Sequence, residues 1–179
     1  MPRLPLLRRA LPATLLLCFA GLGSLRALEW RDSVTLWLPL AERFSDDHRV
    51  WANLGRGYLR RGDRDGAARA LQHSLSLDPN HIAALNNLGT LELESGRFGR
   101  AREIYLRVLE LDPESHVAWT NVGVIETRLL NHARSTEYYE RALEVYPNHH
   151  SARKKLAVAR QLVAEAQTFL AKNSELDLE

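Results

Sequence analysis

Trp51-Ala-Asn-Leu-Gly55, Leu85-Asn-Asn-Leu-Gly89 and Trp119-Thr-Asn-Val-Gly123 are three versions of one phrase, each 34 residues after the last. Other positions keep the same step. Pro79, Pro113 and Pro147 recur with it, as do Ala67, Ala101 and Ser135, and the bulky set Leu71, Tyr105 and Tyr139. Agreement at several independent positions over three copies marks a stacked-repeat architecture.

Each recurring position has a physical reason. Trp51, Leu54 and Tyr58 fall at helical spacing and form the buried stripe of a first helix. Gly55, Gly89 and Gly123 lie inside that helix, where glycine costs about 1 kcal/mol against alanine. That cost predicts a close approach of two helices, with Ala67 and Ala101 small for the same contact from the second helix. Gly62 and Gly96 suit a left-handed turn between helices. Leu130 stands at the third such position, which predicts a different turn, built on Asn131. Asp78-Pro79 and Asp112-Pro113 end each second helix.

Helix–turn–helix units of this length and signature resemble the tetratricopeptide repeat. The resemblance covers units at 48–81, 82–115 and 116–149, more than half of the 179 residues. It implies an all-α fold: a right-handed α-solenoid with an N-terminal hydrophobic segment and a C-terminal capping helix. One unit cannot bury its own apolar face, so an array needs covers at both ends. Residues 150–172 read as the capping helix, with Leu156, Ala159, Val163, Ala166 and Leu170 inward and Arg153, Lys154, Arg160 and Gln167 toward solvent. Residues 173–179 read as a frayed acidic tail. Residues 29–47 read as a degenerate half-repeat that caps the front. There Asp32 is the N-cap, and Val34, Trp37, Ala41 and Phe44 share one face. Trp37 falls in the register of Leu71 and Tyr105. Pro39 inside the segment predicts a kink.

Residues 1–28 differ from the rest. Arg3, Arg8 and Arg9 precede an uncharged run from Ala10 to Leu25, and Arg26 closes it. This is the layout of a signal anchor or a cleaved signal peptide. At about 1.5 Å per residue the run spans roughly 24 Å as a helix, short of a ~30 Å hydrocarbon core, and flanking arginines can snorkel. Cleavage after Ala20 is the alternative. Either outcome places the repeats outside the cytoplasm, in the periplasm if the source is bacterial. They are then anchored through residues 10–25 or exported. The one cysteine, Cys18, lies in this run, so no intrachain disulfide or cysteine-based metal site can form. Residues 11–47, including Trp30-Arg-Asp-Ser-Val-Thr-Leu-Trp37, also resemble the junction between membrane helix and repeats in transmembrane and tetratricopeptide-repeat-containing proteins. Some of those are mannosyltransferases. That resemblance implies an accessory module of a membrane glycosyltransferase system as the alternative to a free scaffold.

First helices line the concave side of such arrays, and positions at offsets 4, 3, 4 share a stripe. The stripe reads Arg49, Asn53, Arg56, Arg60 in the first unit. It reads Ala83, Asn87, Thr90, Glu94 in the second and Val117, Asn121, Val124, Arg128 in the third. Asparagine is the constant member. An amide carries both donors and an acceptor, so a row of amides suits the backbone of an extended peptide. The repeats of O-linked N-acetylglucosamine transferase carry asparagine at this position, and Asn53, Asn87 and Asn121 are similar to that ladder. The candidate peptide-binding residues are Arg49, Asn53, Arg56, Arg60, Asn87, Thr90, Asn121 and Arg128.

Charge narrows the partner. The first unit carries six arginines against three aspartates, the second four arginines against six acids, and the third three arginines against four glutamates. No basic stripe runs the length of the array, which argues against nucleic acid. Arg49, Arg56 and Arg60 predict an acidic segment in a protein or peptide partner. Repeats that clamp chaperone C-termini use lysine, asparagine and arginine at five positions, which here are Ala52, Arg56, Asn87, Val117 and Asn121. The match at Asn87 alone argues against a chaperone-tail receptor. No His-Glu-x-x-His, Gly-x-Ser-x-Gly or Gly-rich phosphate loop occurs. His149-His150 are adjacent and point to different sides of a helix, so no metal site is expected, and no cofactor. The expected function is a non-catalytic interaction scaffold.

Overall fold

The computed structural model describes residues 33–176, with side chains to residue 170. The anchor-or-signal segment 1–28, Asp32 and residues 177–179 lie outside the described residues. Eight helices make up the described chain: α1 (Ser33–Arg43), α2 (His48–Arg61), α3 (Arg64–Leu77), α4 (Ile82–Glu94), α5 (Phe98–Leu111), α6 (His116–Arg128), α7 (His132–Val145) and α8 (His150–Leu176). Among the described residues there is no strand, and no helix is long and apolar enough to cross a membrane.

Helices α2 and α3, α4 and α5, and α6 and α7 pack as hairpins, each hairpin contacting the next in chain order. Local chemistry sets their ends. Asp47 caps α2 by accepting the Arg49 N–H, and Asp63 caps α3 by accepting the Gly66 N–H at 2.8 Å. Helices α3 and α5 stop at the residue before Asp78-Pro79 and Asp112-Pro113. Trp51 and Trp119 are half-buried, and their indole N–H groups donate to the carbonyls of Ser45 and Pro113, both at 2.8 Å. Each ring thus ties a first helix to the turn before it.

The recurring glycines make room for side chains more than for a facing backbone. A Cβ on Gly89 would lie 2.8 Å from Cζ of Tyr105, and one on Gly123 would lie 2.6 Å from Cε1 of Tyr139. Ala67 and Ala101 are buried, but the atoms nearest the glycine gap are not theirs. That gap belongs to the bulky position four residues further on. The largest cluster of buried residues, around Tyr105, Val108, Val122 and Ile125, lies between the second and third hairpins.

Leu130 corrects a sequence expectation. The third turn is not different: Leu130 itself takes φ +63°, beside +82° at Gly62 and +74° at Gly96. Asn131 instead donates from its amide to the Glu126 carboxylate at 2.8 Å. A left-handed conformation costs an L-residue about 1–2 kcal/mol. Leu130 is 76% exposed, so little packing offsets that cost. Leu130→Gly should therefore stabilise the protein by about 1 kcal/mol after the extra chain entropy of glycine is counted. Urea unfolding checks this, and a loss of stability would show that the leucine side chain holds the turn.

The two ends also depart from expectation. Helix α1 packs on α2 through Val34, Ala41 and the half-buried Trp37, with Pro39 inside it. Phe44, expected on that face, is 46% exposed, and the Arg43 guanidinium lies 5.6 Å from its ring centre. At the other end, α8 continues to Leu176 where a stop at 172 is expected. Its buried stripe is short. Ala152, Leu156 and Ala159 are buried, Val163 is half-buried, and Ala166 and Leu170 are exposed, Leu170 by 67%. Length explains this. Helix α8 has 27 residues and α7 has 14, so at 1.5 Å per residue α8 is about 20 Å longer than the helix it packs against.

Candidate functional site

Helices α2, α4 and α6 carry the candidate stripe, with α2 against α4 and α6 against α8. Asn53, Asn87 and Asn121 are all half-buried, one per first helix. The three residues are not equivalent. The Asn53 side-chain oxygen accepts from the Arg56 guanidinium at 2.9 Å. Among the described residues, the side chains of Asn87 and Asn121 make no hydrogen bond.

Two further predicted members are already engaged. Arg49 holds the Asp47 carboxylate with two side-chain bonds, Nε to Oδ1 at 3.0 Å and Nη2 to Oδ2 at 2.9 Å. The Arg49 contacts hold the Asp47 carboxyl well below its ordinary value, at about 2. Thr90 donates its hydroxyl to the Asn86 carbonyl and lies 2.9 Å from the Tyr105 hydroxyl. Burial pushes the Tyr105 phenol up to about 12, so it stays a neutral hydroxyl. Thr90 thus supports the core more than it offers a free group. Arg56, Arg60 and Arg128 are exposed. Arg60 and Arg128 make no ion pair among the described residues.

The stripe also runs further than the three units. Lys155 and Val158 stand 34 residues after Asn121 and Val124, and α8 brings them back to the same face. Val124, Thr127 and Arg128 of α6 line one recess with Lys154, Lys155 and Val158 of α8. This end is both apolar and basic. Continuing the 34-residue step past residue 149 would have found it. Outside this face, His48, Asp78 and His81 place possible ligand atoms within 4.8 Å of one another.

Family models described as tetratricopeptide repeat match residues 52–116 and 116–149. A curated relative, tetratricopeptide repeat protein 8 of Caenorhabditis elegans, is 33% identical over 87 residues. The match covers 48% of this chain and 17% of that protein. Among solved structures, the first repeat domain of Spaghetti (RPAP3) bound to the HSP90 peptide SRMEEVD superposes with a TM-score of 0.63 at 22% identity. It covers 66% of this chain and 96% of that one. An O-GlcNAc transferase mutant of Thermobaculum terrenum superposes with a TM-score of 0.60 at 28% identity, over 63% of this chain and 22% of the transferase.

Proposed function

The chain belongs to the tetratricopeptide-repeat family, and from that premise we propose that it is a non-catalytic scaffold. It holds an extended peptide or partner protein along the face shared by α2, α4, α6 and the start of α8. The observation that carries this reading is the asparagine row: three half-buried amides one unit apart, two of them with unspent hydrogen-bonding groups. A peptide backbone offers the complementary groups at every residue. Arg56, Arg60, Arg128 and Lys155 favour an acidic segment in the partner. The peptide-bound Spaghetti domain supports the use of this fold for such a ligand. Residues 10–25 tether the scaffold to a membrane or direct its export, so the repeats work outside the cytoplasm.

Replacing Asn53, Asn87 and Asn121 together with alanine should weaken partner binding by about 2 kcal/mol, roughly thirtyfold, at about 1 kcal/mol per lost bond and less at Asn53. The partner is obtained by crosslinking in intact cells and its affinity is measured by titration. Unchanged affinity with unchanged helicity removes the ladder. Binding should also weaken between low and moderate salt. The transferase-module reading draws on the resemblance of residues 11–47 to the junction between membrane helix and repeats in transmembrane and tetratricopeptide-repeat-containing proteins. It requires a multi-spanning glycosyltransferase to be the captured partner, whereas the scaffold reading requires an assembly or secretion component. Fractionation of the same cells shows whether residues 1–28 stay with the repeats in the membrane.

A further inference from the structure

His48 opens α2, and Asp78 and His81 lie in the turn between α3 and α4. Asp78 Oδ2 is 3.6 Å from His48 Nε2 and 4.0 Å from His81 Nδ1. The two imidazole rings meet edge to face with centres 4.5 Å apart. Asp78 Oδ1 accepts the Asn80 backbone N–H at 3.0 Å, which aims Oδ2 at both rings. Three polar atoms therefore converge at separations too long for hydrogen bonds between them.

We propose that His48, Asp78 and His81 bind a divalent transition-metal ion, with Zn²⁺ the best fit, at the junction of the first two repeats. Two imidazoles and one carboxylate are a donor set that borderline ions favour. A tetrahedral ion with bonds of about 2.0–2.1 Å spaces its ligand atoms about 3.3 Å apart. The observed separations, 3.6 and 4.0 Å to the carboxylate and none above 4.8 Å, close to that value by side-chain movements of about an ångström or less, within the reach of small χ rotations. All three groups are half-buried, so water reaches the remaining coordination position.

The repeat contains its own control. At the next junction the equivalent residues are Ile82, Asp112 and Ser115. At the one after, they are His116, Tyr146 and His149. There the two histidine rings again stand edge to face, 5.0 Å apart, with a phenol where the carboxylate would be. The first junction alone has all three donors. An ion there clips the N-terminus of α2 to the turn that leads into α4.

The test is calorimetric titration of Zn²⁺ into the metal-stripped full-length chain. One ion should bind per chain. Asp78→Asn and His81→Gln should each weaken binding at least about tenfold, while His116→Gln/His149→Gln should bind like the parent. Asp78→Asn retains an oxygen for the Asn80 N–H, so the turn survives. The unaltered chain gives a second readout: Zn²⁺ should shield His48 and His81 from diethyl pyrocarbonate, but not His116 and His149. No stoichiometric binding, parent-like affinity in both ligand variants, or equal shielding of all four histidines would overturn the site.

Discussion

Truncating Tyr105 to alanine should lower the unfolding free energy by about 4 kcal/mol. The ring is fully buried and fills the gap left by the missing side chain at Gly89. It also stands in the largest buried cluster, where the second and third hairpins meet. Removing it opens a cavity that rigid neighbouring helices cannot close. The hydroxyl is a smaller part of the loss. Tyr105→Phe keeps the ring and gives up the contact with Thr90, which is worth about 1 kcal/mol. Urea unfolding of the two variants separates these contributions. A loss in the alanine variant no larger than in the phenylalanine variant would mean that the ring does not lock the hairpins together.

The second large effect is electrostatic. Arg102→Met should destabilise the protein by about 3 kcal/mol. Glu126 is 1% exposed, and its carboxylate is met by Arg102 of α5 at 2.9 Å and by the Asn131 amide at 2.8 Å. Removing the arginine leaves a buried carboxylate with one neutral partner. Arg102 is partly exposed, so water can enter the vacated space, and the lower end of the usual range applies. Pairing the change with Glu126→Met should recover most of the loss, because no buried charge then remains unpaired. A double-mutant cycle by chemical denaturation measures the coupling. A single-variant loss under about 1 kcal/mol would class the pair with surface ion pairs. Glu92 occupies the same place one unit earlier and is also buried, but its partner is Arg97, from the adjoining turn.

The hairpins were legible because their cause is local. Spacing of apolar residues, cap residues and Asp-Pro breaks act within one or two turns of chain, and the 34-residue step repeats them. The misses have longer-range causes. Leu130 takes a glycine-like conformation because the helices on either side set the turn, and their packing outweighs the steric cost. The apolar pattern of α8 shows its helicity but not what covers it. The exposed Leu170 follows from the length of α7, which its own neighbours do not encode. In the site, the placing of one asparagine on each first helix could be read from the register alone. The engagement of Thr90 could not, because it depends on where the Tyr105 hydroxyl arrives from the next helix. His48 and His81 are 33 residues apart, a separation with no meaning as a ligand motif until the repeat folds one junction onto itself.

The glycine-and-ring contacts also set how the chain can reach this structure. Gly55 meets Leu71, Gly89 meets Tyr105, and Gly123 meets Tyr139, so each contact closes a loop of the same 16-residue span. Short loops of equal length give equal and small closure entropies, and contacts close in sequence favour fast folding. No hairpin has to wait for a distant part of the chain. Folding can begin in any of the three and spread to its neighbours, with the tyrosine-closed hairpins favoured as starting points by their larger buried rings.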